Sequence, residues 1–207
     1  MTTFRSTARQ IAVTAKALVL FTLLLGIAYP LLATAAAQTA AGHLANGSPV
    51  SAAGSAGGNA AGGNAAGSAL LGQSFTDSSG AALPQWFQSR PGTYDGAASG
   101  GSNLGPSSTE LAAALEDRRQ AVAALESVPP EDIPADALTA SASGLDPHIS
   151  PEYAYLQAAR VARVRELPEP AVRALVDAAV QGRIAGFLGE PTVNVLELNM
   201  SLQELDT

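Results

Sequence analysis

The sequence contains no cysteine, which excludes disulfide frameworks, thiolate zinc sites and cysteine nucleophiles and leaves the redox compartment open. Positive charge is scarce: 11 Lys and Arg stand against 18 Asp and Glu, for a net charge of −7. Phosphate contacts need a clustered basic surface, so nucleic acid is set aside as a partner. His43 and His148 are the two histidines, too few for an HExxH or multi-histidine metal site. The glycine-rich run 92–105 (GTYDGAASGGSNLG) lacks both the GxGxxG spacing and the GK[ST] ending of nucleotide loops, and reads as a packed irregular loop.

What is present starts at the N-terminus. Ala17 to Ala37 (ALVLFTLLLGIAYPLLATAAA) carries no ionisable side chain except Tyr29. About twenty helical residues reach about 30 Å, the thickness of a bilayer's hydrocarbon core, so the run is expected to form one transmembrane helix. Arg5, Arg9 and Lys16 precede it, and the next basic residue is Arg90. By the positive-inside rule, residues 1–16 are cytoplasmic and everything after Ala37 lies outside the cytoplasm. A cleaved signal peptide, with Ala33, Ala35 and Ala37 near the cut, is the competing reading and would release a secreted binding protein. The apolar run is longer than an ordinary signal core, which favours the anchor.

Residues 38–67 are expected to form a juxtamembrane segment and a flexible Ala/Gly/Ser/Asn linker. Residues 68–207 are expected to fold as one small α+β domain. Its first apolar runs, Ser68 to Phe75 and Leu83 to Arg90, have the length and punctuation of strands. A capping box at Ser107 and Glu110 opens a helix with Leu111, Leu115, Val122 and Leu125 on one face, and Pro129 and Pro130 close it. Ala137 to Leu145 reads as extended, ending in a turn. Ser150 before Pro151 caps a helix to about Arg165, and a further helix runs from about Pro170 to Gly182. Thr192 to Leu198 alternates like a strand, before a last short turn ending at Leu205.

Chemistry-bearing residues are few. Ser143, Asp146 and His148 supply the residue types of a hydrolytic triad, yet no G-x-S-x-G elbow holds a serine, and His148 beside Pro147 is more simply a turn residue. Arg160, Arg163 and Arg165 read as a solvated basic helix face. With all 18 acids and the eight arginines after Lys16 placed outside, that side carries a charge of −10. Solubility is the simpler use of such dispersed charge than steering of cations.

Several blocks, in order, resemble the C subunit of the Kdp-type potassium-transporting ATPase. They are YPLL (29–32), ANGS (45–48), GSALLGQSF (67–75), FQSRP (87–91), ASGGSNLGPSS (98–108), TASASGLDPHISPE (139–152) and GEPTVNVLELNMSLQELD (189–206). The long linker departs from the family's compact pattern. The resemblance implies an accessory, non-catalytic subunit beside a channel-like potassium-binding subunit and a P-type ATPase subunit, in contact with membrane lipid. It implies no tightly bound cofactor, with ATP reached through the ATPase subunit, whose apparent ATP affinity this subunit raises as a catalytic chaperone. Thr139, Ser141, Ser143, Gly144 and Asp146 are the candidate nucleotide or partner contacts, because hydroxyls and backbone N–H groups bind phosphate. A turn bonded to itself is the plainer reading of that stretch. Gly100, Gly101, Ser102 and Asn103 are candidate partner contacts where the domain would cap the outer mouth of the channel-like subunit.

Overall fold

The computed structural model describes residues 2–51 and 65–205, in two compact units that divide after Ser48. Of the expected juxtamembrane segment and linker, 38–67, residues 52–64 lie outside the described residues, and 38–45 are helical. On either side of 52–64, Pro49–Ser51 (β1) pairs antiparallel with Ala65–Ser68 (β2).

The first unit is helical. Helix α1 spans Thr2–Leu23 and α2 spans Tyr29–Ala45, joined by one π-helical turn, Leu24–Ala28. The helix is thus longer than residues 17–37, and Thr7–Ala45 is long and apolar enough to cross a membrane. The π turn has a cause in Pro30, whose ring lacks an N–H and crowds the carbonyl one turn earlier. Widening the preceding turn, with the Tyr29 N–H donating to Leu24 O, relieves that crowding without breaking the helix.

The second unit is mixed helix and sheet. Helix α3 (Thr109–Glu126) is capped by Ser108, whose Oγ accepts from Leu111 N at 3.3 Å; the cap is therefore one residue later than the capping-box reading placed it. A 3₁₀ turn (Pro130–Asp132) and the short α4 (Ala135–Leu138) follow. Ala137 and Leu138, expected to be extended, are helical and buried.

Strand β3 (His148–Ile149) leads into α5 (Pro151–Val164), whose Ser150 cap is where the sequence puts it. Then come α6 (Glu169–Ala179), β4 (Val180–Gln181), β5 (Thr192–Asn194) and α7 (Val195–Leu205). The three strands form an antiparallel sheet in the order β3-β5-β4. The core joins Val161 of α5, Val172 and Val176 of α6, Val193 of β5 and Leu198 and Leu202 of α7, all fully buried.

Three expected strands are corrected. Of Ser68 to Phe75 only Ser68 lies in a strand, as the last residue of β2, and the rest is turn and irregular backbone. The C-terminal strand stops at Asn194, because the Asn194 carboxamide oxygen accepts from Glu197 N at 3.2 Å and starts a helix where alternation suggested more strand. The stretch Leu83 to Arg90 is not a strand, although part of it is hydrogen-bonded as if it were. Asn199 takes both backbone groups of Phe87 (N to Oδ1 and Nδ2 to O, each 2.9 Å), and Gln157 does the same for Gln88 (2.6 and 3.1 Å). Side-chain amides replace a neighbouring strand, satisfying buried backbone groups that would otherwise cost stability.

The Arg160, Arg163 and Arg165 face is corrected at two positions, while Arg163 is exposed as expected. Arg160 is buried, and its Nε lies 3.0 Å from both carboxylate oxygens of Glu126. Its remaining nitrogens donate to Gln157 Oε1 and to the carbonyls of Trp86 and Pro84. Arg165 lies over the Trp86 ring, 4.2 Å from its centre, and donates to Gln85 O. Both arginines therefore anchor the irregular segment to α5.

Candidate functional site

The clamped segment ends at Arg90, which makes that residue a fixed post around which the next loops fold. Its guanidinium donates to Thr139 O (3.1 Å), Ala140 O (3.1 Å) and Thr139 Oγ1 (3.4 Å), and pairs with Asp146 Oδ2 at 3.4 Å. The stretch Thr139 to Asp146 thus wraps one arginine, whose charge is divided among carbonyls and one carboxylate.

A second loop, 92–101, lies against the first. Gly100 N donates to Ser143 O at 2.8 Å, and Ser99 Oγ donates to the same carbonyl at 3.0 Å. Glycine is required at the crossing: a Cβ on Gly144 (φ +69°) would lie 2.9 Å from Gly100 O, and one on Gly101 would lie 2.9 Å from Ala142 O. Tyr94 closes the base, its hydroxyl donating to Arg90 O at 2.8 Å. Burial pushes the Tyr94 phenol above its ordinary pKa, with Asp146 adding to the rise and a bond with Ser89 and the Arg90 charge opposing it.

Most of the expected contact residues therefore meet: Thr139, Ser141, Ser143, Gly144 and Asp146 form one loop, with Gly100 and Gly101 packed on it. Their hydrogen-bonding groups are largely spent on each other. Ser141 Oγ and Ser143 Oγ lie 3.0 Å apart, Leu145 N donates to Ser143 Oγ, and Gly144 N donates to Ser141 O. Ser102 and Asn103 are exposed beyond the crossing, Asn103 with φ 55°, and neither is bonded to the 139–146 loop. His148 bonds Asp146 through N and Nδ1, each at 3.1 Å, while the Ser143 hydroxyl is engaged with Ser141 and Leu145. The three residue types of a triad are near in sequence, but serine and histidine are not paired.

Two depressions flank Arg90. One, of about 640 Å³, is lined by Leu70, Ser141, Ser143, Asp146 and His148. The other, of about 590 Å³, runs between α3 and segments 74–94, with Phe75, Val122, Leu125 and Tyr153 in its wall and Arg118 at its edge. Sequence reasoning missed the hub itself. Arg90 is the first basic residue after Lys16 and stands alone in a Gly/Ser-rich region, which is the signal that was there to use.

The described residues define a class: a small mixed helix-and-sheet domain carried on one apolar helix of membrane-spanning length, with two glycine-locked loops around a single arginine. Residues 11–204 match the family model KdpC, described as the K+-transporting ATPase, c chain. The chain is 56% identical over 138 residues (65% of this chain, 67% of the other) to a potassium-transporting ATPase KdpC subunit of Kineococcus radiotolerans. It is 46% identical over 194 residues (90% and 93%) to one from Variovorax paradoxus, and 47% identical over 197 residues (91% and 93%) to one from Polaromonas naphthalenivorans. The chain belongs to the KdpC family.

Proposed function

We propose that this chain is the accessory, non-catalytic subunit of an ATP-driven, high-affinity potassium uptake pump. The observation that carries the reading is the family match, which runs from inside the apolar helix to the last helix. In this reading the helix anchors the chain in membrane lipid, residues 1–16 face the cytoplasm, and the domain lies outside. The charge asymmetry supports the orientation, since Arg5, Arg9 and Lys16 precede the apolar run and the next basic residue is Arg90. The domain holds the assembly together against the channel-like subunit through the loops at 100–103 and 139–146. Through that assembly it raises the apparent ATP affinity of the P-type ATPase subunit. Direct nucleotide contact has little support from the loop geometry, because the hydroxyl and N–H groups suited to phosphate are bonded internally.

The absence of cysteine makes the test direct. Ala97→Cys places a single thiol on an exposed loop position. A membrane-impermeant thiol reagent should label it in intact cells, while the tagged chain brings down both partner subunits and the ATP KM of the complex is lower with the chain than without it. Labelling confined to inverted vesicles would reverse the topology, and an unchanged KM would remove the chaperone role while leaving the scaffold.

A further inference from the structure

The connection between β4 and β5 is built to be touched. Ile184, Phe187 and Leu188 are 74, 72 and 53% exposed, and the first two are the most exposed large apolar residues of the second unit. Large apolar side chains grouped at one solvent-facing point are a mark of an interaction site, whereas scattered single ones are not.

The loop is also held in shape. Ile184 and Leu188 exchange backbone hydrogen bonds at 2.9 and 3.0 Å, Gly186 N donates to Arg183 O at 3.0 Å, and Ala185, Gly186 and Gly189 all take positive φ. Left-handed backbone at a non-glycine residue costs free energy, and it persists here at a tip that buries nothing in this chain. An ordered apolar tip loses little entropy when it docks.

Charge and position indicate what receives it. Arg183 Nη2 pairs with Glu190 Oε2 at 2.6 Å across the base of the loop, so the tip carries no net charge. An anionic lipid surface recruits loops through surplus Lys and Arg, and this loop has none. The tip also lies at the Thr192 end of β5. At the other end, Asn194 donates to Ala69 O (2.8 Å), beside the β1-β2 pair through which the chain enters this unit. An apolar centre ringed by an exposed ion pair has the make-up of a protein-protein anchor.

We infer that the Ile184–Leu188 tip is a docking knob that inserts into an apolar, uncharged recess of another subunit of the same pump. This rests on the reading of the chain as a pump subunit, and it adds a contact separate from the loops around Arg90. The knob supplies apolar area, the glycine turn supplies rigidity, and Arg183 with Glu190 form the wet rim.

The test uses the full-length chain in membranes together with its partner subunits. Ile184→Ser, Phe187→Ser and Leu188→Ser are combined, with Phe187→Ser alone as the milder variant, and the Arg183–Glu190 pair is kept. Because these side chains are exposed, the thermal midpoint of the purified chain should stay at the wild-type value. Recovery of the partner subunits should fall about tenfold or more for the triple variant, and less for the single one. Benzoylphenylalanine in place of Phe187 should photo-crosslink to a pump subunit. Normal partner recovery by the triple variant, or a crosslink to lipid alone, overturns the knob while leaving the pump assignment standing. A wild-type chain that brings down no pump subunit overturns both.

Discussion

Arg160 and Arg90 each gather loop carbonyls and a carboxylate around one guanidinium, yet they sit in opposite settings. The side chains of Arg160 and Glu126 are 1% and 0% exposed, whereas those of Arg90 and Asp146 are 24% and 35% exposed. The buried centre has every nitrogen on a partner at close range and ties α5 to the end of α3 and to segment 84–88. The half-exposed centre is looser and collects loops carrying three of the seven family-like blocks, FQSRP, ASGGSNLGPSS and TASASGLDPHISPE. A desolvated charge pair punishes any loss of a partner, so it holds structure in one arrangement. A wetter pair is cheaper to rearrange, so it suits a surface that must meet another protein.

The contrast breaks most severely at Arg160. Arg160→Ala takes from the Glu126 carboxylate and the Pro84 carbonyl the donor they have, and leaves the Trp86 carbonyl with only the longer bond from Gln88 Nε2 at 3.3 Å. Burial already pushes the Glu126 carboxyl above its ordinary pKa, with its bonds to Arg160 pulling it partly back. Losing the cation should cost about 3–5 kcal/mol, read as a shift in the urea midpoint. Adding Glu126→Leu to Arg160→Met should recover part of that loss, since an apolar pair carries no desolvation penalty. If Arg160→Ala unfolds at the wild-type midpoint, the buried centre is not what holds segment 84–88.

How far these two centres were legible in the sequence follows from the range of the contacts that make them. The cap at Ser150 and the start of α5 depend on neighbours, so they were readable. Ser107 and Ser108 are adjacent hydroxyls of equal capping ability, and the choice between them lies in backbone angles. Segment 83–90 has strand composition, but its partners are amides 69 and 112 positions away, which no local pattern reveals. Arg160 sits among other arginines on a helix and looks solvated until Glu126, 34 positions earlier, folds against it. At the candidate site, the glycines and serines of 100–103 and 139–146 are visible in the sequence, while the crossing of the two loops at Gly144 and the attachment of 139–146 to Arg90 are tertiary facts.

The loop crossing offers a middle-sized effect. Gly144→Ala places a methyl group 2.9 Å from Gly100 O, on a backbone at φ +69°. The strain should cost about 1–3 kcal/mol, and because backbone rather than a flexible side chain opposes the methyl group, the two loops must part. The expected outcome is a folded domain with a lowered thermal midpoint and weaker partner recovery, α5 and α6 retaining their amide protection in hydrogen exchange. Equal loss of protection across the whole domain would mean that the crossing is as integral to the fold as Arg160.

The smallest effect comes from Tyr94 and separates the regions by pH. Tyr94→Phe removes one hydroxyl that donates to Arg90 O, which should cost about 0.5–1.5 kcal/mol at neutral pH. The wild-type phenol is held above its ordinary value of 10.0 in the folded chain, chiefly by burial. The folded form therefore keeps its proton after the unfolded form has begun to lose it. Above pH 10 the unfolded state binds fewer protons, so that part of the stability, complete below pH 10, is lost as the pH climbs through the folded-state value. Phenylalanine has no proton to lose, so the gap between wild type and Tyr94→Phe should narrow as pH rises past 10. Burial likewise holds the Tyr153 phenol high in both proteins, so its contribution cancels in the difference apart from the smallest cause of its rise, the charge of Tyr94 itself, which phenylalanine removes. A gap that stays constant from neutral to alkaline pH would mean that the Tyr94 hydroxyl is as wet as it would be in the unfolded chain, and that the base of the Arg90 loops is open to solvent.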